Sequence, residues 1–112
     1  MVSPSVGSVV LVRFPFSDLS ASKLRPALAL AEVDRNDWIL CQVTSNPYSD
    51  PRSVEIANSD FVSGSLERIS YARPGKLFSA NISLIERGAG KLKTSKFDDI
   101  LDAVVVTIRP PK

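Results

Sequence analysis

Turn signals recur roughly every 8–12 residues between short apolar runs, a spacing that suits short strands closing into a small sandwich or barrel. Val9-Val10-Leu11-Val12-Arg13-Phe14 is apolar on both sides of the alternation, as in a strand covered on two faces. Pro15 ends its clean pairing, because proline has no N–H to give a ladder. Residues 17–24 then form a Ser-rich connection longer than a tight hairpin, and so a candidate functional loop. Residues 26–33 resume a strand in which Leu28 and Leu30 alternate with Ala27, Ala29 and Ala31, and Asp34-Arg35-Asn36-Asp37 reads as a hairpin turn. Residues 38–45 make a third strand, apolar until it ends in hydroxyls, and Asn46-Pro47 opens a loop that reaches Pro51. Further short strands are expected at 53–57, 67–72 and 76–80, separated by Gly64 and by Pro74-Gly75. The period then changes. Ser95 can cap a helix whose Phe97, Ile100, Leu101 and Val104 share one face, while the β-branched Val105, Val106 and Ile108 would fray its end or turn it into a strand. The expected architecture is mainly β, a small barrel closed by a C-terminal helix.

Composition narrows the chemistry. The chain has 112 residues, so one domain spanning 1–112 is expected, and 44% hydrophobic against 23% charged residues is ordinary globular usage. A single cysteine, Cys41, excludes an internal disulfide framework and a multi-cysteine metal site. Histidine is absent, which removes the usual zinc ligand and the usual base near neutral pH, and no metal or cofactor is expected. No apolar run approaches the ~20 residues that span a bilayer. Met1 to Ser8 carries neither basic charge nor a long apolar stretch, so a soluble cytoplasmic protein with no membrane association is expected. The net charge is only +2, but basic residues gather at Lys23 and Arg25, at Arg68, Arg73 and Lys76, and at Lys91, Lys93 and Lys96. Such segregation allows a basic face for a polyanion, and equally a set of scattered solvated charges. Asp98, Asp99 and Asp102 are explained by the helix macrodipole.

Several strings then resemble the PemK/MazF toxin family in the same order: Gly7-Ser8-Val9-Val10-Leu11-Val12, Phe14-Pro15-Phe16, Lys23-Leu24-Arg25-Pro26-Ala27-Leu28, Val43-Thr44-Ser45 and Lys76-Leu77-Phe78-Ser79. The resemblance covers nearly the whole chain, and its most specific part is Phe-Pro-Phe followed by a basic-rich loop and Arg-Pro. It implies an SH3-like barrel with a C-terminal helix, assembled as a homodimer and held in check by a cognate antitoxin. It further implies a sequence-selective endoribonuclease that cuts single-stranded mRNA without a metal, leaving 2′,3′-cyclic phosphate and 5′-hydroxyl ends.

That chemistry suits a chain without histidine. Cleavage through the RNA's own 2′-hydroxyl needs in-line positioning, charge stabilisation at the phosphoryl oxygens and protonation of the leaving 5′-oxygen. An arginine grips two phosphate oxygens and keeps its charge. The resemblance makes Arg25 that catalytic residue; read alone, Arg25 is a rim side chain that snorkels toward a carboxylate. Thr44 inherits a place at the catalytic centre from the matching threonine, with Ser45 beside it, although an isolated Thr44 would simply cap the turn before Asn46-Pro47. Asp18, the carboxylate nearest Arg25 in the first loop, is a candidate base; an ordinary aspartate pKa of about 3.9 would have to rise for efficient base work.

Lys23, Arg73 and Lys76 are candidate phosphate contacts, and Tyr48 and Phe78 candidate stacking surfaces for unpaired bases. Phe78 serves equally as core, and Lys76 as an edge-strand gatekeeper. One departure stands out. Many relatives carry an arginine on the late strand with an aspartate three residues on, whereas this chain reads Phe78-Ser79-Ala80-Asn81. That leaves Arg73 as the candidate substitute for the missing cation. The departure also motivates an alternative, an RNA-binding relic without activity. A second alternative is a CcdB-like gyrase poison on the same barrel. Such poisons end in an aromatic-Gly-aliphatic tail, which Ile108-Arg109-Pro110-Pro111-Lys112 does not match.

Overall fold

The computed structural model describes residues 3–14 and 23–111, and among these residues seven strands make one antiparallel sheet. They are β1 (Ser8–Phe14), β2 (Lys23–Asp34), β3 (Asp37–Thr44), β4 (Val54–Ile56), β5 (Phe61–Gly64), β6 (Ser70–Asn81) and β7 (Ile85–Leu92). One-turn 3₁₀ segments at Asn58–Asp60 and Ile82–Leu84 link β4 to β5 and β6 to β7, and helix α1 (Thr94–Ile108) ends the fold. The order across the sheet is β4-β6-β3-β2-β1-β7-β5.

That order forces the sheet to curl. β4 and β5 lie at opposite edges, yet only residues 57–60 separate them in the chain. Five Cα steps reach at most about 18 Å. Seven strands laid flat would hold the outer two roughly 29 Å apart. The result is a curled half-barrel of the SH3-like kind, with Ile56 of β4 and Phe61 of β5 packed into one cluster.

Two apolar clusters divide the sheet by strand parity. Val9, Leu28, Cys41, Val43 and Leu92 point to the concave side, where Ile100 and Val104 of α1 close over them. Val10, Val12, Ala27, Ala29, Trp38 and Leu40 form the second cluster with Ile82 and Ile85. The two-sided apolar run at the start of β1 therefore has its expected meaning, since successive side chains enter opposite clusters. The turn at Arg35 and Asn36 is also where the sequence placed it, with Asn36 in the left-handed region at φ 67°.

Several expectations need correction. Pro74-Gly75 does not separate two strands: β6 runs through it for twelve residues. The register on β3 jumps from Cys41↔Leu77 to Val43↔Ala72, so residues 73–76 bulge opposite Gln42 alone, and a bulge is where a sheet tolerates a proline. The strand expected from 67 begins at Ser70, and the strand expected at 53–57 shrinks to three residues. β5 and β7 were not foreseen; β7 (IERGAGKL) carries two glycines and three charges, which mask a strand pattern. Ser95 lies inside α1, whose N-cap is Lys93 with no side-chain capping bond. The helix also persists through Val105 and Val106, because burial of Ile100 and Val104 against the sheet outweighs a propensity deficit of about 0.5 kcal/mol per β-branched residue.

Candidate functional site

β2 enters the sheet with Lys23, Leu24 and Arg25 exposed, and Arg25 stands opposite Val12 of β1. The last β2–β3 pair at this end is Ala27↔Gln42. Arg25 and Thr44 each lie two residues beyond that pair, where Thr44 pairs with Tyr71 of β6. Arg25, Thr44 and Ser45 line one open cleft of about 370 Å³ at this end of the sheet. The segment between β5 and β6 forms its other wall and contributes Leu66, Glu67 and Arg68.

The walls are anchored. Ser70, buried and polar at the start of β6, donates its hydroxyl to the Arg68 carbonyl at 3.1 Å. At the other end of the segment, the Ser65 N–H donates to the Ala89 carbonyl at 3.2 Å. Gly64 just before it has φ +69°, and an added Cβ there would lie 2.2 Å from the Ala89 oxygen. Only glycine fits that close approach of β5 to β7. Gln42 lines the cleft floor, and its side-chain Oε1 is buried without a hydrogen-bond partner.

Thr44 caps the turn that follows β3. Its hydroxyl donates to the Asn46 carbonyl and accepts the Asn46 N–H, each at 3.1 Å, which is the turn-capping role read for an isolated threonine. A hydroxyl oxygen has two lone pairs, so the Thr44 hydroxyl keeps one acceptor position beyond these bonds.

The other expected site residues fall into separate places. Asp18 lies outside the described residues. Lys23 is exposed at the start of β2, two residues before Arg25. Lys76 is exposed on the β6 bulge, and Phe78 is half-buried against the second apolar cluster. Arg73 does not line the cleft: its Nε donates to Asp50 Oδ2 at 3.1 Å, and its guanidinium carbon sits 5.6 Å from the Tyr48 ring centroid. The Asp50 carboxyl is held below the usual carboxylate range, chiefly by the Arg52 backbone N–H and then by the Arg73 side chain.

Tyr48 and Ser49 both sit at positive φ, 53° and 60°. The Asn46 side chain accepts the Tyr48 N–H at 3.0 Å and holds the bend. This conformation is costly for a bulky residue, and it presents Tyr48 with 64% of its surface exposed.

Sequence reasoning missed Glu67, Arg68 and Gln42 as cleft residues. Arg68 was visible within a basic cluster, but the expected strand from 67 hid its place on a loop. Buried Cys41 is absent from the cleft lining; its thiol donates to the Arg73 carbonyl at 3.3 Å and is pushed up to about 12 by burial. Among the described residues, no group of three carboxylate, cysteine or histidine side chains converges as a metal site, and no helix is long and apolar enough to cross a membrane.

A curled antiparallel sheet of this order, closed by a C-terminal helix, defines the PemK/MazF-like toxin fold. The chain superposes on a mycobacterial endoribonuclease solved in complex with its cognate antitoxin, with a TM-score of 0.70 and 17% identity over 100% of this chain and 99% of that one. It matches a MazE–MazF structure from Deinococcus radiodurans at 0.72 and 16% identity, covering 99% and 100% of the two chains. A MazF toxin from Mycobacterium tuberculosis matches at 0.71 and 14% identity, over 94% and 99%. At these identities the likeness is one of fold. No protein-family model matches the chain, and no curated protein sequence does.

Proposed function

We propose that this protein is the toxin of a toxin–antitoxin pair, an endoribonuclease that cuts single-stranded mRNA by attack of the ribose 2′-hydroxyl. The carrying observation is the cleft that Arg25, Thr44 and Arg68 share on a MazF-like fold. Two guanidinium groups beside one diester stabilise the charge that builds on its phosphoryl oxygens, which is commonly the largest catalytic contribution. The open acceptor position on Thr44 takes the 2′-hydroxyl or a donor next to it, and so helps align the attack. Ser45, exposed on the same wall, adds a second hydroxyl. No step needs a metal or a histidine, and the products are a 2′,3′-cyclic phosphate and a 5′-hydroxyl.

Outside the cleft, Lys23 and Lys76 contact backbone phosphates. Tyr48, rigidly presented and backed by Arg73, offers a face on which an unpaired base stacks. The working form is a cytoplasmic homodimer, in keeping with the exposed Val105, Val106 and Ile108 on α1, and an antitoxin blocks it. Incubation with a long single-stranded RNA in EDTA, followed by end-group analysis, tests the reading. Cyclic-phosphate and 5′-hydroxyl ends are expected. RNA bound tightly but left intact would favour the relic instead, and sedimentation showing only monomer at micromolar concentration would remove the dimer.

A further inference from the structure

We propose that Glu67 is the general base that takes the proton from the attacking 2′-hydroxyl. The inference rests on the ribonuclease reading of the cleft and adds the group that reading lacks.

A second hollow of about 500 Å³ adjoins the cleft and shares Leu11, Leu24, Leu66 and Glu67 with it. Its far wall carries Arg87 and Gly88 of β7. A nucleic-acid strand that runs from the Arg25 and Thr44 side to the Arg87 side must pass Glu67. Glu67 is the one carboxylate among the described residues that line either hollow. It is exposed, and no hydrogen bond or ion pair engages it among the described residues. An ionised carboxylate has only acceptor sites, so it is able to take a proton as the 2′-oxygen attacks. The backbone of its segment is anchored on either side of it, by the Ser70 hydroxyl on the Arg68 carbonyl and by the Ser65 N–H on the Ala89 carbonyl. A base held on an anchored segment keeps its geometry, whereas one on a loose loop would not. Arg68, next in sequence, keeps positive charge beside a carboxylate that would otherwise repel the phosphate.

In the step, the 2′-hydroxyl proton moves to the Glu67 carboxylate as the O2′–P bond forms. The P–O5′ bond breaks, and O5′ takes its proton from water in the open cleft. Glu67 then returns its proton to solvent.

The test compares wild type with Glu67→Gln and Glu67→Asp in single-turnover cleavage across pH. It also measures binding of the same oligonucleotide carrying a 2′-deoxy sugar at the cut site. Glu67→Gln should slow cleavage on the order of 10²-fold or more, the usual contribution of a positioned base. The same substitution should leave affinity for the deoxy probe unchanged or tighter, and it should flatten the acidic limb of the rate profile. Glu67→Asp should restore part of the rate and the limb. Cleavage by Glu67→Gln within about threefold of wild type, or an unaltered acidic limb, would overturn the assignment while leaving the ribonuclease reading intact. Loss of probe binding together with rate would make Glu67 a structural residue and would equally overturn it. A wild type that cuts no RNA would instead sink the functional reading itself.

Discussion

Replacing Gly64 by alanine should unfold the chain far more easily than the same change at Gly88, although the two glycines lie on neighbouring strands. At Gly64 the backbone has φ +69°, and a Cβ would come 2.2 Å from the Ala89 oxygen and 2.6 Å from the Gly90 Cα. Both obstacles are backbone atoms, so no side-chain rotation relieves them. The left-handed conformation costs a non-glycine residue about 1 kcal/mol, and forcing an extra carbon into a packed contact costs roughly 1–3 more. The sum is about 2–4 kcal/mol, a large share of the 5–15 typical of a domain. At roughly 4 °C per kcal/mol for a chain of this size, the melting temperature should fall by about 8–16 °C. Gly88 has nothing within 4 Å of an added Cβ, so Gly88→Ala should be neutral or should stabilise by about 0.5 kcal/mol through the unfolded chain. Thermal and urea unfolding followed by circular dichroism would read both. Because Gly64 leads directly into the segment that bears Glu67 and Arg68, RNA cleavage should drop with Gly64→Ala even below its melting point. Gly64→Ala melting within about 2 °C of Gly88→Ala would refute the argument that the close approach of β5 to β7 admits only glycine at position 64.

Further outcomes follow from the same geometry. Native Cys41 should resist iodoacetamide and react once the chain is unfolded. Its folded pKa of about 12 lies above the ordinary 9.0, so the stability it contributes is complete below pH 9 and is lost as pH rises toward 12; native labelling as fast as in urea would contradict this. Arg73→Ala should raise the Asp50 carboxyl toward its ordinary value, as followed by carbon NMR. Since the folded value is the depressed one, the stability from this pair is present above the ordinary carboxylate range and fades as pH falls, and an unmoved Asp50 titration would deny the ion pair its role. Affinity for single-stranded RNA should weaken with salt, and Arg68→Ala should reduce the slope of log affinity against log salt by about 0.7. An unchanged slope would remove Arg68 from the phosphate.

Much of this fold could be read from the chain because local pattern and burial agree there. Val9 to Val12, the Leu/Ala alternation of β2 and the turn at Arg35-Asn36 each have one physical solution. Where the pattern failed, long-range packing decided. A Pro-Gly pair reads as a break, yet β6 carries it as a bulge because its neighbour β3 continues on both sides. The Gly-rich β7 exists because β1 and β5 flank it, a pairing across more than seventy residues of sequence in the case of β1. The site was legible only in part. Arg25 and Thr44 stand near strand ends and line one cleft, but the reaction roles proposed for them rest on the family resemblance. Glu67 and Arg68 carry no motif; only the curl of the sheet brings their segment across from them. Arg73 looked like the substitute cation, and Asp50, unremarkable in sequence, holds it elsewhere.

The most direct test of the ribonuclease proposal is the single-turnover rate of RNA cleavage by Arg25→Ala and Arg25→Lys beside wild type, in EDTA. The cleft predicts a loss on the order of 10²–10³-fold for Arg25→Ala, with Arg25→Lys recovering only part because a lysine cannot grip two oxygens. Cleavage by Arg25→Ala at the wild-type rate, with the same cyclic-phosphate ends, would contradict the proposal.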